Sequence, residues 1–182
     1  MDSWIGLVSQ QNSLWQNWHG DRSRVFHLRY EADTVRQEGS PLIRFSIEDL
    51  HVGQSAALTH VVDESRIAAF AETTGDENPV HLDANYAAGT RFGARIAHGM
   101  LGAGFISAVI GTVLPGPGSI YIGQSLRFRR PIYIGDEVQA LVEIVSIDRE
   151  RNRIILSTRC IVKGKPVIDG EAEILVPGRN DT

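Results

Sequence analysis

Hydrophobic and polar positions follow different rhythms along this chain. From residue 43 to residue 62, short apolar alternations in "RFSIEDL" and "AALTHVV" predict a short strand, a turn at Val52 and Gly53, and a strand over residues 56–62. The spacing then turns helical, with Ile67, Phe70 and Ala71 on one face. Asp63 is placed to cap that helix, with Arg66 where a full capping box has Glu, and Gly75 is placed to end it. Asn78 followed by Pro79 predicts a second helix start, an amide cap before a proline at the position where a missing N–H costs nothing. Asp83 opens another short turn, and "TRFGARIAHG" reads as a loop. Residues 99–114 are apolar nearly all the way round, which predicts a helix buried on all sides. Gly102, Ala103, Gly104 and Ala108 would let a neighbour pack very close to it.

"LPGPGS" breaks the chain after that helix. Four segments follow, "IYIGQSLRFRRPIYI", "DEVQALVEIVSIDRE", "RIILSTRCIVKG" and "PVIDGEAEILV". Turns are expected at Gly135–Asp136, Glu150–Asn152 and Gly164–Lys165, giving an antiparallel meander. Arg127, Arg129 and Glu143 face away from their apolar neighbours. The class is α+β, and the geometry that buries so apolar a helix is an antiparallel sheet curved around it.

Residues 1–40 break the pattern. They hold Trp4, Trp15 and Trp18 with poor periodicity, and are expected to be an extension that is partly helical at best, with disorder or a translated upstream segment left open. The tryptophans could pack on the domain or on a partner. The domain itself is expected over residues 41–178, with a tail at 179–182.

Composition narrows the function classes. A length of 182 residues suits one domain with a sizeable core, and a net charge of -4 gives no bulk attraction to nucleic acid or a membrane surface. The single cysteine, Cys160, excludes an internal disulfide and reads as a small buried hydrophobe in a strand. No stretch of eighteen apolar residues and no basic start followed by an apolar block is present, so no membrane association and a cytoplasmic location are expected.

The candidate chemistry lies in "GDENPVH", residues 75–81. Asp76 and His81 could turn into one cavity as a general acid–base pair, since each can exchange a proton near neutral pH once its surroundings favour it. In the alternative reading Asp76 and Asn78 cap turns and His81 lies on a helix surface. Gly99 opens the long helix, where backbone N–H groups have no internal partner and no side chain blocks a ligand. A carbonyl oxygen gaining negative charge would be stabilised there, as in an oxyanion hole. No nucleophile accompanies these groups, which suits proton transfer beside a thioester or ketone carbonyl. His98 is expected to pack or cap. No metal site is expected, because Asp76, His81 and Asp83 have no further His or Cys at ligand spacing. "RFRR", residues 127–130, reads as solvated arginines or as a phosphate contact.

"FAETTGDENPVHLDANYA", "HGMLGAGFISAVIG" and "LPGPGSIYIGQSLRFRRPIYIGDEV" together resemble the (R)-specific enoyl-CoA hydratases of the MaoC-like dehydratase family, over roughly residues 46–176. The resemblance implies a hot-dog fold and reversible hydration of trans-2-enoyl-CoA to (R)-3-hydroxyacyl-CoA, with no metal and no cofactor beyond the coenzyme A of the substrate. It implies that Asp76 and His81 are the catalytic pair, that Asn78 supports the site and that Gly99 is the oxyanion donor. If the helix lines an acyl tunnel, Met100, Ser107 and Ile110 are substrate-binding candidates. Dehydration of an acyl-carrier-protein thioester and non-catalytic binding of acyl thioesters are the competing functions. Pairing of exposed sheet edges into a homodimer is also expected.

Overall fold

The computed structural model describes residues 26–29 and 44–181. Trp4, Trp15 and Trp18, and the expectation that they pack on the domain, lie outside the described residues.

Among the described residues six strands form one sheet: β1 (Phe26–Arg29), β2 (Ser55–Val61), β3 (Ile120–Phe128), β4 (Glu137–Asp148), β5 (Arg153–Val162) and β6 (Lys165–Leu175). Four helices lie between β2 and β3: α1 (Glu64–Thr74), α2 (Pro79–Leu82), α3 (Ala84–Ala88) and α4 (Gly99–Thr112). The order across the sheet is β1-β2-β4-β5-β6-β3. Its five antiparallel strands run from β2 to β3 and, with α4 against one face, make a hot-dog fold.

Three expectations about the strands are corrected. Residues 120–175 are not one meander: β4, β5 and β6 are, but β3 crosses to pair with β6, because β2 occupies the edge of β4. The short strand expected near residue 45 is a 3-10 turn, Ile47–Asp49, closed by a reciprocal box between Ser46 and Asp49. Part of the N-terminal extension is neither helical nor separate. Residues 26–29 form β1 and pair in parallel with β2, Phe26 opposite Ala56 and Arg29 opposite Thr59, so that edge is not bare.

Helix ends form where local chemistry demands them. Asp63 caps α1 by accepting from the Arg66 N–H, and Gly75 stops it in the left-handed region at φ 74°. The expected tail folds back: the Arg179 guanidinium pairs with Asp49 at 2.6 Å, and its N–H donates to Glu48.

The core lies between α4 and the concave face of the sheet. Ile106, Val109 and Ile110 of α4 join Val142 and Ile144 of β4, Ile154 and Leu156 of β5, and Ile174 of β6 in one buried cluster. Each such side chain contributes about 1.5–3 kcal/mol when fully buried. Gly102 makes the close approach possible: a Cβ there would lie 2.5 Å from Ile168 Cδ1, whereas one on Gly104 would meet nothing. Cys160 is buried beneath the same turn and donates weakly to the Gly102 carbonyl. The helix is not buried on all sides, however. Met100, Gly104, Ser107 and Gly111 form an exposed stripe, since a single curved layer covers only one side of a cylinder.

Candidate active site

Short-range hydrogen bonds shape the loop that carries the candidate pair. Thr74 Oγ1 accepts from the Asp76 N–H, and Asp76 Oδ1 accepts from the Asn78 N–H, each at 3.3 Å. Asn78 then caps α2 by accepting from the Val80 N–H at 3.2 Å, with Pro79 at the first helical position. Asp83 caps α3 in the same way. Asn78 is exposed and does not line the cavity, so what it supports is the local turn.

His81 is buried, which removes the alternative that it lies on a helix surface. Its Nδ1 lies 2.8 Å from the Ile96 carbonyl oxygen. A carbonyl only accepts, so Nδ1 carries the proton and Nε2 of the neutral ring is the bare nitrogen. The partner segment is itself laced in place, with the Ile96 N–H donating to Val80 and the Ala97 N–H to Ile132.

A cavity of about 630 Å³ is lined by Asp76, His81, His98, Gly99 and Met100. Its lining also includes the apolar side chains of Phe70, Phe92 and Phe128. The cavity brings the carboxylate, the imidazole and the first turn of α4 together. The Phe128 ring lies over Gly99, close enough that a Cβ there would sit 2.7 Å from it. Arg91, Arg129 and Arg130 line the same cavity and are exposed. Arg129 is paired with Asp169 at 2.9 Å, and Arg130 donates to the Pro166 carbonyl.

Ser107 and Ile110 do not line this cavity. Ile110 is a core residue, and Ser107 lies on the exposed stripe of α4.

His98 is the residue that sequence reasoning undervalued. It is 1 % exposed, its ring stacks on that of His81 with centroids 3.9 Å apart, and its Nε2 lies 2.9 Å from the Asp76 carbonyl oxygen. Its only signal in the sequence was its place just before Gly99. The expectation that no further histidine accompanies Asp76 and His81 is corrected, because separation along the chain concealed the proximity. Ligand-capable atoms of Asp76, His81 and His98 lie within 4.8 Å of one another, and these are the described residues able to converge on a metal ion. Both imidazoles already direct one nitrogen at a backbone carbonyl, so ligation by His98 through Nε2 would break its bond to Asp76.

The site can therefore hold a water between a carboxylate and a basic imidazole nitrogen, beside the N–H groups that open a helix. The MaoC-like domain family matches residues 49–165. An (R)-specific enoyl-CoA hydratase of Rhodospirillum rubrum is 51% identical over 138 residues, 76% of this chain and 96% of the relative. A 3-hydroxybutyryl-CoA dehydratase of Methylorubrum extorquens is 49% identical, covering 74% of this chain and 85% of that protein. The unliganded structure of an R-hydratase from Pseudomonas aeruginosa superposes with a TM-score of 0.72 at 49% identity, covering 75% of this chain and 88% of that one.

Proposed function

The chain belongs to the MaoC-like domain family, and on that footing we propose that it reversibly adds water across trans-2-enoyl-CoA to give (R)-3-hydroxyacyl-CoA. The observation that carries the reading is the convergence of Asp76, the bare Nε2 of His81 and the opening turn of α4 on one cavity. A water held by Asp76 and His81 gives up a proton to this pair as its oxygen bonds to C3 of the enoyl group. The π electrons move through C2 onto the thioester oxygen. The Gly99 N–H stabilises that enolate, and the pair returns a proton to C2, completing the alcohol. The reverse sequence is dehydration, so direction follows supply. Every step uses groups of the chain itself and needs no metal.

Arg91, Arg129 and Arg130 at the cavity supply an anion-attracting mouth. Phosphates of coenzyme A fit it, and so does a second substrate form, an acyl-carrier-protein thioester. The apolar lining, with Met100 and Phe128, receives the acyl chain. The assembly is a homodimer: among the described residues β3 has no strand on its outer edge, Ile120, Ile122 and Phe128 are each roughly half exposed, and one stripe of α4 is open as well. A partner covering that stripe would bring Ser107 near a substrate path. The protein acts in the cytoplasm, where acyl-CoA is present; no helix among the described residues is long and apolar enough to cross a membrane.

The test is loss of enoyl absorbance on mixing with crotonyl-CoA, repeated with octenoyl-CoA. Turnover to a product that an (S)-specific dehydrogenase does not oxidise supports the reading. No turnover with either substrate overturns it in favour of thioester binding alone. A kcat/KM at least tenfold higher for an enoyl-acyl-carrier protein would favour the second substrate form.

A further inference from the structure

We propose that His98 is the positioning residue that locks the acid–base loop to the oxyanion-hole helix; the inference rests on the hydratase reading above. Three segments converge on its ring, and its backbone opens a fourth. Nε2 donates to the Asp76 carbonyl at 2.9 Å, which fixes the loop before α2. One ring face lies against His81 of α2, with centroids 3.9 Å apart and planes tilted by 34°. Phe70 of α1 packs at 4.8 Å. The backbone of His98 is the N-cap of α4, so its conformation aims the N–H of the next residue, Gly99.

The chemistry of the position supports a role beyond filling space. An N-cap side chain usually bonds the open N–H groups of its own helix, but His98 makes no such bond. It reaches instead to a residue 22 positions earlier in the chain. Nδ1 is buried without a hydrogen-bond partner among the described residues, and this carries a desolvation cost that an apolar ring of the same size would avoid. Phenylalanine would pack there without that cost, so what distinguishes histidine is the Nε2–H donor and the carbonyl it holds. A misplacement of about 1 Å at such a site can cost about 100-fold in rate. His98 thus sets the distance between the Asp76–His81 pair and the Gly99 N–H while leaving proton transfer to that pair.

The test compares steady-state hydration of crotonyl-CoA by the wild-type protein, His98→Phe and His98→Gln. Phenylalanine keeps the ring contacts and removes the donor; glutamine restores an N–H near the position of Nε2. His98→Phe should lower kcat about 10- to 100-fold with KM within threefold, and His98→Gln should recover at least a third of the wild-type kcat. Ile144→Val, a distant change in the buried part of β4, should lower the melting temperature and leave kcat unchanged, so that lost stability is not mistaken for lost positioning. A folded His98→Phe with kcat within threefold of wild type overturns the proposal, as does a His98→Gln no better than His98→Phe. If His98→Phe does not fold, His98→Gln decides alone, and a kcat below a third of wild type overturns the proposal. An inactive wild-type protein removes the hydratase reading and this inference with it, whereas active wild type with insensitive His98 variants removes only this inference.

Discussion

At His81 one hydrogen bond determines which nitrogen can act. Nδ1–H is committed to Ile96, so the acceptor available to a substrate water is Nε2. Asp76 is the exposed member of the pair and is held through its own backbone and carboxylate by Thr74, Asn78 and His98. Asp76→Asn and His81→Asn are close in size to the originals and should leave the fold intact. Each should lower kcat by about 10²–10⁴-fold. If the two act as the proposed unit, the double variant should be little worse than the poorer single one. Crotonyl-CoA kinetics with circular dichroism check this, and a kcat within threefold of wild type in either single variant returns the stretch to an ordinary capped turn.

Two elements carry consequences of their own. Strand β3 docks on β6 through Gly170, where a Cβ would lie 1.8 Å from the Ser125 carbonyl oxygen. Backbone cannot move aside as a flexible side chain can, so Gly170→Ala should separate the strands. A loss above about 4 kcal/mol is expected, lowering the melting temperature by roughly 10 °C or preventing folding. A fall under about 3 °C would contradict the register. Strand β2 carries His60, stacked on Phe105 of α4 at 4.3 Å. Burial, and secondarily the Arg66 guanidinium 3.3 Å away, pushes its pKa from 6.5 down to about 4. The unfolded chain therefore takes up a proton at a higher pH than the folded chain does. Stability from a neutral His60 is fully present above pH 6.5 and is lost as pH falls toward 4. Melting temperature should decline across that window, and His60→Met should flatten the decline; an unchanged slope would place the effect on other groups.

For the whole molecule, two features are open among the described residues: the outer edge of β3 and the exposed stripe of α4. A charge in the middle of that edge should weaken the proposed dimer without touching the core. Ile122, 45% exposed, is the position to test. Ile122→Arg should shift the mass measured by light scattering from dimer toward monomer, with a loss of activity in proportion if the partner completes the site. A wild-type monomer that is fully active would contradict the dimer.

Local structure was legible from the residues because its causes are local. The caps at Asp63 and Asn78, the stop at Gly75 and the alternation in β4 and β5 depend on neighbours within a few positions, and each formed as expected, while the turn expected at Asp83 proved to be a helix cap. The apolar run of α4 likewise required a sheet around it. Contacts made across the chain were settled only by tertiary structure. The crossing of β3 to β6 and the parallel seat of β1 on β2 depend on which strand edge is open, a property of the assembled sheet. The open side of α4 follows from how far one layer can curve, not from the composition of the helix. His98 meets Asp76 and His81 because the folded backbone brings residues 76, 81 and 98 to one place. Local hydrogen bonding and periodicity therefore determine where elements begin and end, whereas the shared edges and enclosed space of the folded chain determine which side chains form the site.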